Sequence, residues 1–253
     1  MKNNINKINI KNNDEDIYNK ITKALNELNF KQNNIQIIVE QLFLIITQRN
    51  QEIAKSGIRL PYLEILSNEN IFAKIIIKKS IEENNQKVIF NNALICQQLC
   101  FKLNDNLILN NINQADEDLK TILTEECKLQ FEIILNNNYN MNDNEILRII
   151  IFISELINLK IIPIKIGFYV FENLYKKYRN ENMNKYFYLD IIIILLNKIG
   201  KNILKEKIFI EVNNFIDKEL VNLINFDSNL PLFLKNKIIE LTNIKKYQWM
   251  IDH

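Results

Sequence analysis

The side chains best suited to chemistry are few, and their spacing does not bring them together. The only histidine among 253 residues is His253, so catalysis relayed through an imidazole and His-rich metal sites are not expected. Cys96 and Cys100 are four residues apart and would share one helical face, while Cys127 lies in a later segment. Three thiols fall short of the four ligands of a structural zinc site, and buried small hydrophobes are the simpler reading. The carboxylate groups Asp14-Glu15-Asp16, Glu82-Glu83 and Glu125-Glu126 fall at expected helix starts or on faces expected to be solvated, not around a common pocket. Glycine stands only at 57, 167 and 200, so neither GxxxxGK[ST] nor GxGxxG can be built. The expectation is a non-enzymatic chain with no metal and no cofactor.

Binding chemistry has better candidates. Lys176, Lys177, Arg179 and Lys185 surround one inter-helix turn, with Tyr175, Tyr178, Tyr186 and Tyr188 interleaved. Cations at such a turn could hold phosphates, and an exposed tyrosine could stack on an unpaired base, so this group is a candidate RNA site. The competing reading is a solvated turn whose tyrosines cap the core. Lys198, Lys201, Lys205 and Lys207 flank the next turn and would extend the site if both turns shared one edge. The overall balance, 32 basic against 30 acidic residues for a net +2, supplies no long-range field of its own. Trp249, the single tryptophan, reads as a cover over the end of the core.

The elements that must carry these residues are helices. With 47% hydrophobic residues, three glycines and three prolines, the chain can bury a large core but has little material for tight turns. Apolar spacing predicts ten helices at 14–30, 33–48, 69–83, 86–103, 114–136, 142–158, 161–179, 182–200, 203–223 and 229–244, or five antiparallel pairs. In the fifth, Leu119, Ile122, Leu123, Cys127, Phe131, Ile134 and Leu135 recur at steps of three and four, which turns Glu125, Glu126 and Lys128 to water. Pro163 and Pro231 are expected inside first turns and Gly200 at a helix end. Residues 1–13 are expected to be a polar tail, and residues 49–68, with Gly57 and Pro61, a loop with one helical turn at Tyr62–Leu66. Successive pairs start 40–50 residues apart, the period of HEAT-like repeats. No apolar run reaches membrane-spanning length, and the first residues lack a signal-peptide centre, so a reducing compartment with free thiols is expected.

Particular wording adds a family to this pattern. FISELINLKIIPIKIGFYVFENL (152–174) resembles the helix pair F-I-G-E-L-F-x-L-K-M of the middle domain of eukaryotic initiation factor 4G, the MIF4G domain. TILTEECKLQFE (121–132) is similar to its L-L-N-x-C-Q-x-E-F-E helix, and LDIIIILLNKIGKNI (189–203) to L-C-x-L-L-x-T-I-G-K. LFLKNKIIELTNIKKYQW (232–249) and IFAKIIIKKSIEENNQKVIFNNALICQQL (71–99) are similar to the family's closing and early segments, in the same order. Ser154, Lys78 and Asn84 depart from the family's Gly, Glu and Pro.

The resemblance implies a right-handed, crescent-shaped α-solenoid of about five HEAT-like helix pairs over residues 14–250. It also implies a scaffold of translation initiation that binds a DEAD-box RNA helicase of the initiation factor 4A type, and RNA (mRNA), in the cytoplasm. The implied helicase surface lies around Phe72, Ile75, Lys78, Lys79, Glu82 and Glu83; the RNA site is the basic set Lys176, Lys177, Arg179, Lys185, Lys201 and Lys205. Other members of the family imply an adaptor in splicing, nonsense-mediated decay or nuclear cap binding instead, which would place the chain in the nucleus. A HEAT-like protein–protein adaptor that does not bind RNA is the alternative outside the family.

Overall fold

The computed structural model describes residues 2–27, 34–56, 63–109, 115–136, 143–180, 184–205 and 210–249. Among them every regular element is helical: α1 Lys2–Asn26, α2 Ile35–Ser56, α3 Leu63–Glu82, α4 Gln86–Leu109, α5 Ala115–Asn136, α6 Asp143–Asn158, α7 Ile164–Asn180 and α8 Lys185–Lys205, then α9 Ile210–Asn214, α10 Val221–Phe226 and α11 Leu232–Ile244. A π-helical turn, Phe215–Leu220, joins α9 to α10, and a second, Lys245–Trp249, extends α11. The chain divides into two compact units, residues 1–152 and 153–253.

In the first unit, α1 packs on α3 and α3 on α5, while α2 packs on α4, so the helices form two layers. Their ends are tied by polar side chains. Asn85 caps α4, its Oδ1 accepting the Lys87 amide at 2.9 Å. Arg148 on α6 donates to the Ile81 carbonyl at 2.8 Å and to Asn84, satisfying an acceptor that the end of α3 leaves open. Asn68, buried on α3, donates to the Ile46 carbonyl of α2.

In the second unit α8 is the central element, in contact with α7, α9, α11 and the second π turn. The α6–α7 connection is a Schellman closure. The Ile161 amide donates to Leu156 O at 2.9 Å and the Lys160 amide to Ile157 O at 3.0 Å, with Lys160 left-handed at φ 59°. Ile161 and Leu156 are both buried, as the apolar contact of that motif requires. A lysine carries a steric cost there that glycine avoids. Lys160→Gly is expected to raise the stability of this unit by about 0.5–1 kcal/mol, measured by urea unfolding.

The observed helices correct several expectations. Gly200 does not end α8, which runs on to Lys205. A Cβ built at Gly200 would lie within 2.8 Å of the Trp249 ring, so the glycine is there to admit the indole. Pro163 and Pro231 precede α7 and α11 instead of lying inside them; Pro231 is the cap residue, extended at ψ 137°. The helix α1 begins at Lys2, not near Asp14; no glycine or proline lies in its span to stop it. Asp14, Glu15 and Asp16 are therefore mid-helix, where the dipole gives them no help, and Asp16 pairs with Lys20 at 2.7 Å. Residues 49–56 and 63–67 continue α2 and α3, which leaves only residues 57–62 of the expected loop, outside the described residues. Glu126 is buried instead of facing water, and Gln130 donates to its carboxylate at 2.8 Å.

Candidate functional site

The implied helicase surface lies on the second half of α3, an element packed on both layers of its unit, with α1, α2, α4 and α5 as neighbours. That position decides which of its residues face outward. Phe72 is 0% exposed and Ile75 3%, so both belong to the core and offer nothing to a partner. Lys78 and Glu82 are exposed and 3.9 Å apart, one turn from each other. The Lys79 ammonium donates to the side chain of Asn26 at the end of α1. Glu83, half-buried just past α3, accepts the Asn85 amide at 3.1 Å. The six residues thus separate into a buried apolar pair and four charges at the C-terminal end of α3.

The implied RNA site is on α7 and α8. Lys176 is exposed and Lys177 half-buried on α7. Arg179 donates from Nε to Tyr175 Oη at 3.0 Å and approaches Glu219 at 3.4 Å, while Tyr175 itself donates to Glu219. Lys185 lies 3.8 Å from Asp227 and 5.6 Å from the centre of the Tyr178 ring. Asp227 also accepts Tyr186 Oη at 3.1 Å and the Asn229 amide at 3.0 Å, so it organises the turn after α10 as well. Lys198 is paired with Glu155 at 2.6 Å. Lys201 is half-buried on α8, and Lys205 closes that helix, its side chain outside the described part; Lys207 is outside the described residues.

This placement limits what the basic groups can bind. Lys185 and Lys198, the nearest members of the two groups on α8, are thirteen residues and so roughly 20 Å apart at 1.5 Å per residue, so the two basic groups do not merge into one strip. Tyr178 and Tyr188 are buried and cannot reach a base. Tyr175 and Tyr178 instead stack in an aromatic cluster with Phe171 and meet Phe215, on the π turn, edge-on at 5.5 and 6.3 Å. Sequence reasoning missed Glu219 and Asp227, the two carboxylates that hold this cluster. Neither has a local signal, because their partners lie 40 or more residues away in the chain.

Burial, followed by the charge of Glu219, pushes the Tyr178 phenol from its ordinary value near 10 up to about 12, with Arg179 opposing. Burial and then the hydrogen bond to Glu219 raise Tyr175 as well. The folded state therefore favours the neutral phenol. Its contribution is complete below pH 10 and is lost as the pH rises through about 12. Alkaline titration followed by helical circular dichroism is expected to show loss of structure between those values, and Tyr178→Phe is expected to move that loss to higher pH.

Cys96, Cys100 and Cys127 are free and buried, and burial drives the Cys96 and Cys127 thiols far upward, which keeps them protonated. Among the described residues no three of His, Cys, Asp or Glu come together in a way that could hold a metal ion. Nor is any described helix long and apolar enough to cross a membrane.

Fold and surface together define an all-helical protein whose charged candidates sit at helix ends above an apolar core. Neither a scan of protein-family models nor a search of curated proteins finds a match for the chain.

Proposed function

We propose that the chain is a non-enzymatic scaffold of translation initiation that binds a DEAD-box RNA helicase of the initiation factor 4A type, with additional contact to RNA. The observation that carries this reading is the stacking order of residues 1–152, α1 on α3 on α5 in one layer and α2 on α4 in the other. Consecutive antiparallel pairs that pack like on like are what HEAT-like repeats require. The same order fits the succession of MIF4G-like segments along the sequence. The architecture proposed for the whole chain is a right-handed crescent of five such pairs, working in the cytoplasm.

The helicase surface in this reading is electrostatic: Lys78, Lys79, Glu82 and Glu83, fixed at the end of α3 by the core that Phe72 and Ile75 help to form. RNA contact in this reading is mainly through phosphates, since Tyr178 and Tyr188 are buried and Tyr175 is engaged in the aromatic cluster, which leaves Tyr186 as the half-buried ring. Reversing Lys78 and Lys79 together to Glu is expected to weaken helicase binding about tenfold or more, with a stability loss of no more than about 1–2 kcal/mol from the new like-charge pair with Glu82 and the lost contact to Asn26. Binding titrations of wild type and variant against the purified helicase test this; equal affinities would remove the surface from the reading. Retention of single-stranded RNA is expected at low salt and should fall steeply as salt rises.

A further inference from the structure

The outward face of α11 repeats in sevens. Leu234, Ile238 and Leu241 on this helix are buried, and α11 packs on α8. The opposite face carries Leu232, Asn236, Ile239 and Asn243, at spacings of four, three and four. Leu232 is 73% exposed and Ile239 41%, so the two apolar residues of this face meet solvent. Its spacing is that of two heptads with Leu and Ile at the d positions and asparagine at both a positions. A shallow groove of about 530 Å³ follows the same face, bounded by Asn236, Ile239, Asn243 and Tyr247.

We propose that this face is a self-association surface on which two copies of the chain pair their α11 helices side by side and parallel, about a two-fold axis. The charges flanking the stripe select this occupant and this orientation. Lys235 precedes the first asparagine at a g position, and Glu240 follows Ile239 at an e position. In a parallel pair the g residue of one helix faces the e residue five positions on in the other, so Lys235 meets Glu240 of the second copy, twice by symmetry. In an antiparallel pair g positions face g and e positions face e, so Lys235 and Glu240 would not meet.

Two other lysines of this region are committed within the fold, Lys237 to Asp190 and Lys245 to Asp217, each at 2.6 Å. Each asparagine carries both donors and acceptors, so Asn236 and Asn243 can pair with their own counterparts across the axis and fix the register. Two heptads bury little area, and the dissociation constant is expected on the order of tens of micromolar.

Sedimentation velocity of the full chain from about 1 to about 300 µM tests the proposal, a range chosen to bracket that affinity. The expected result is monomer at the dilute end and dimer at the concentrated end. Ile239→Glu and, independently, Asn243→Lys should each hold the chain monomeric, with helicity and Trp249 fluorescence unchanged because both positions are exposed. Lys235→Glu and Glu240→Lys should each weaken association about tenfold or more alone, and an equimolar mixture of the two should restore it, since opposite charges then face each other again. Monomer throughout the range, association that survives Ile239→Glu, or a mixture that fails to restore it would overturn the proposal.

Discussion

Replacing Phe72 by alanine is expected to lower the stability of residues 1–152 by about 3–5 kcal/mol. The side chain is fully buried on α3, the helix that touches α1, α2, α4 and α5, so the cavity opens where both layers meet and neither can collapse into it alone. Urea unfolding followed by circular dichroism measures the loss, with the midpoint shifting at unchanged slope. The result separates two roles that the sequence places side by side. Phe72→Ala should weaken any partner binding only in proportion to unfolding, whereas the Lys78/Lys79 reversal should weaken binding in a fully folded chain. A loss below about 1 kcal/mol would mean that α3 is not the shared centre of its unit.

The second large effect is expected at Gly200. Alanine there is favoured by helix propensity by about 0.5–1 kcal/mol, so on local grounds the substitution should stabilise α8. The Trp249 ring decides otherwise. A Cβ would stand within 2.8 Å of it, too close for any real contact, and the rigid indole must leave its seat. Net destabilisation of about 1–3 kcal/mol is expected for residues 153–253, with the emission of this single tryptophan shifted to the red as the ring becomes wet. Gly167→Ala makes a useful contrast. Its nearest neighbours are the end carbons of Ile199 and Ile157, which can rotate away, so its effect should be smaller. Stabilisation by Gly200→Ala with unchanged emission would show that the indole does not occupy this seat.

Gly200 also marks where sequence reasoning reaches its limit. The apolar run Ile191–Ile199 followed by glycine reads as a helix and its stop, because the residue that gives the glycine its purpose lies 49 positions away and leaves no mark on the local pattern. Periodicity is reliable where an element's burial repeats with the helical turn. The helix α6 shows this, with Ile146, Ile149, Ile150, Ile153, Leu156 and Ile157 buried at steps the sequence makes legible. Nothing in the pattern warns of a left-handed lysine at 160, since glycine is the usual residue there.

Which apolar residues are core and which are surface is also legible on α3. Asn70, Lys74, Lys78 and Glu82, four apart, form its exposed polar stripe, and it is the family resemblance, not the spacing, that puts the buried Phe72 and Ile75 on a partner surface. The basic turn fails in the other direction. Lys185, Arg179 and the tyrosines are visible as a cluster, but the carboxylates of Glu219 and Asp227 that engage them arrive from the end of α10 and from the π turn before it. Long-range pairing of this kind is set by packing, not by spacing.

We propose that this chain acts on a DEAD-box helicase. The most direct measurement is the RNA-dependent ATPase rate of the purified initiation-factor helicase from the same organism, titrated with the chain at micromolar concentration. The account predicts a saturable rise in rate, with complex formation over the same range, and a loss of both in the Lys78→Glu/Lys79→Glu variant. An unchanged rate together with no binding at micromolar protein would contradict it.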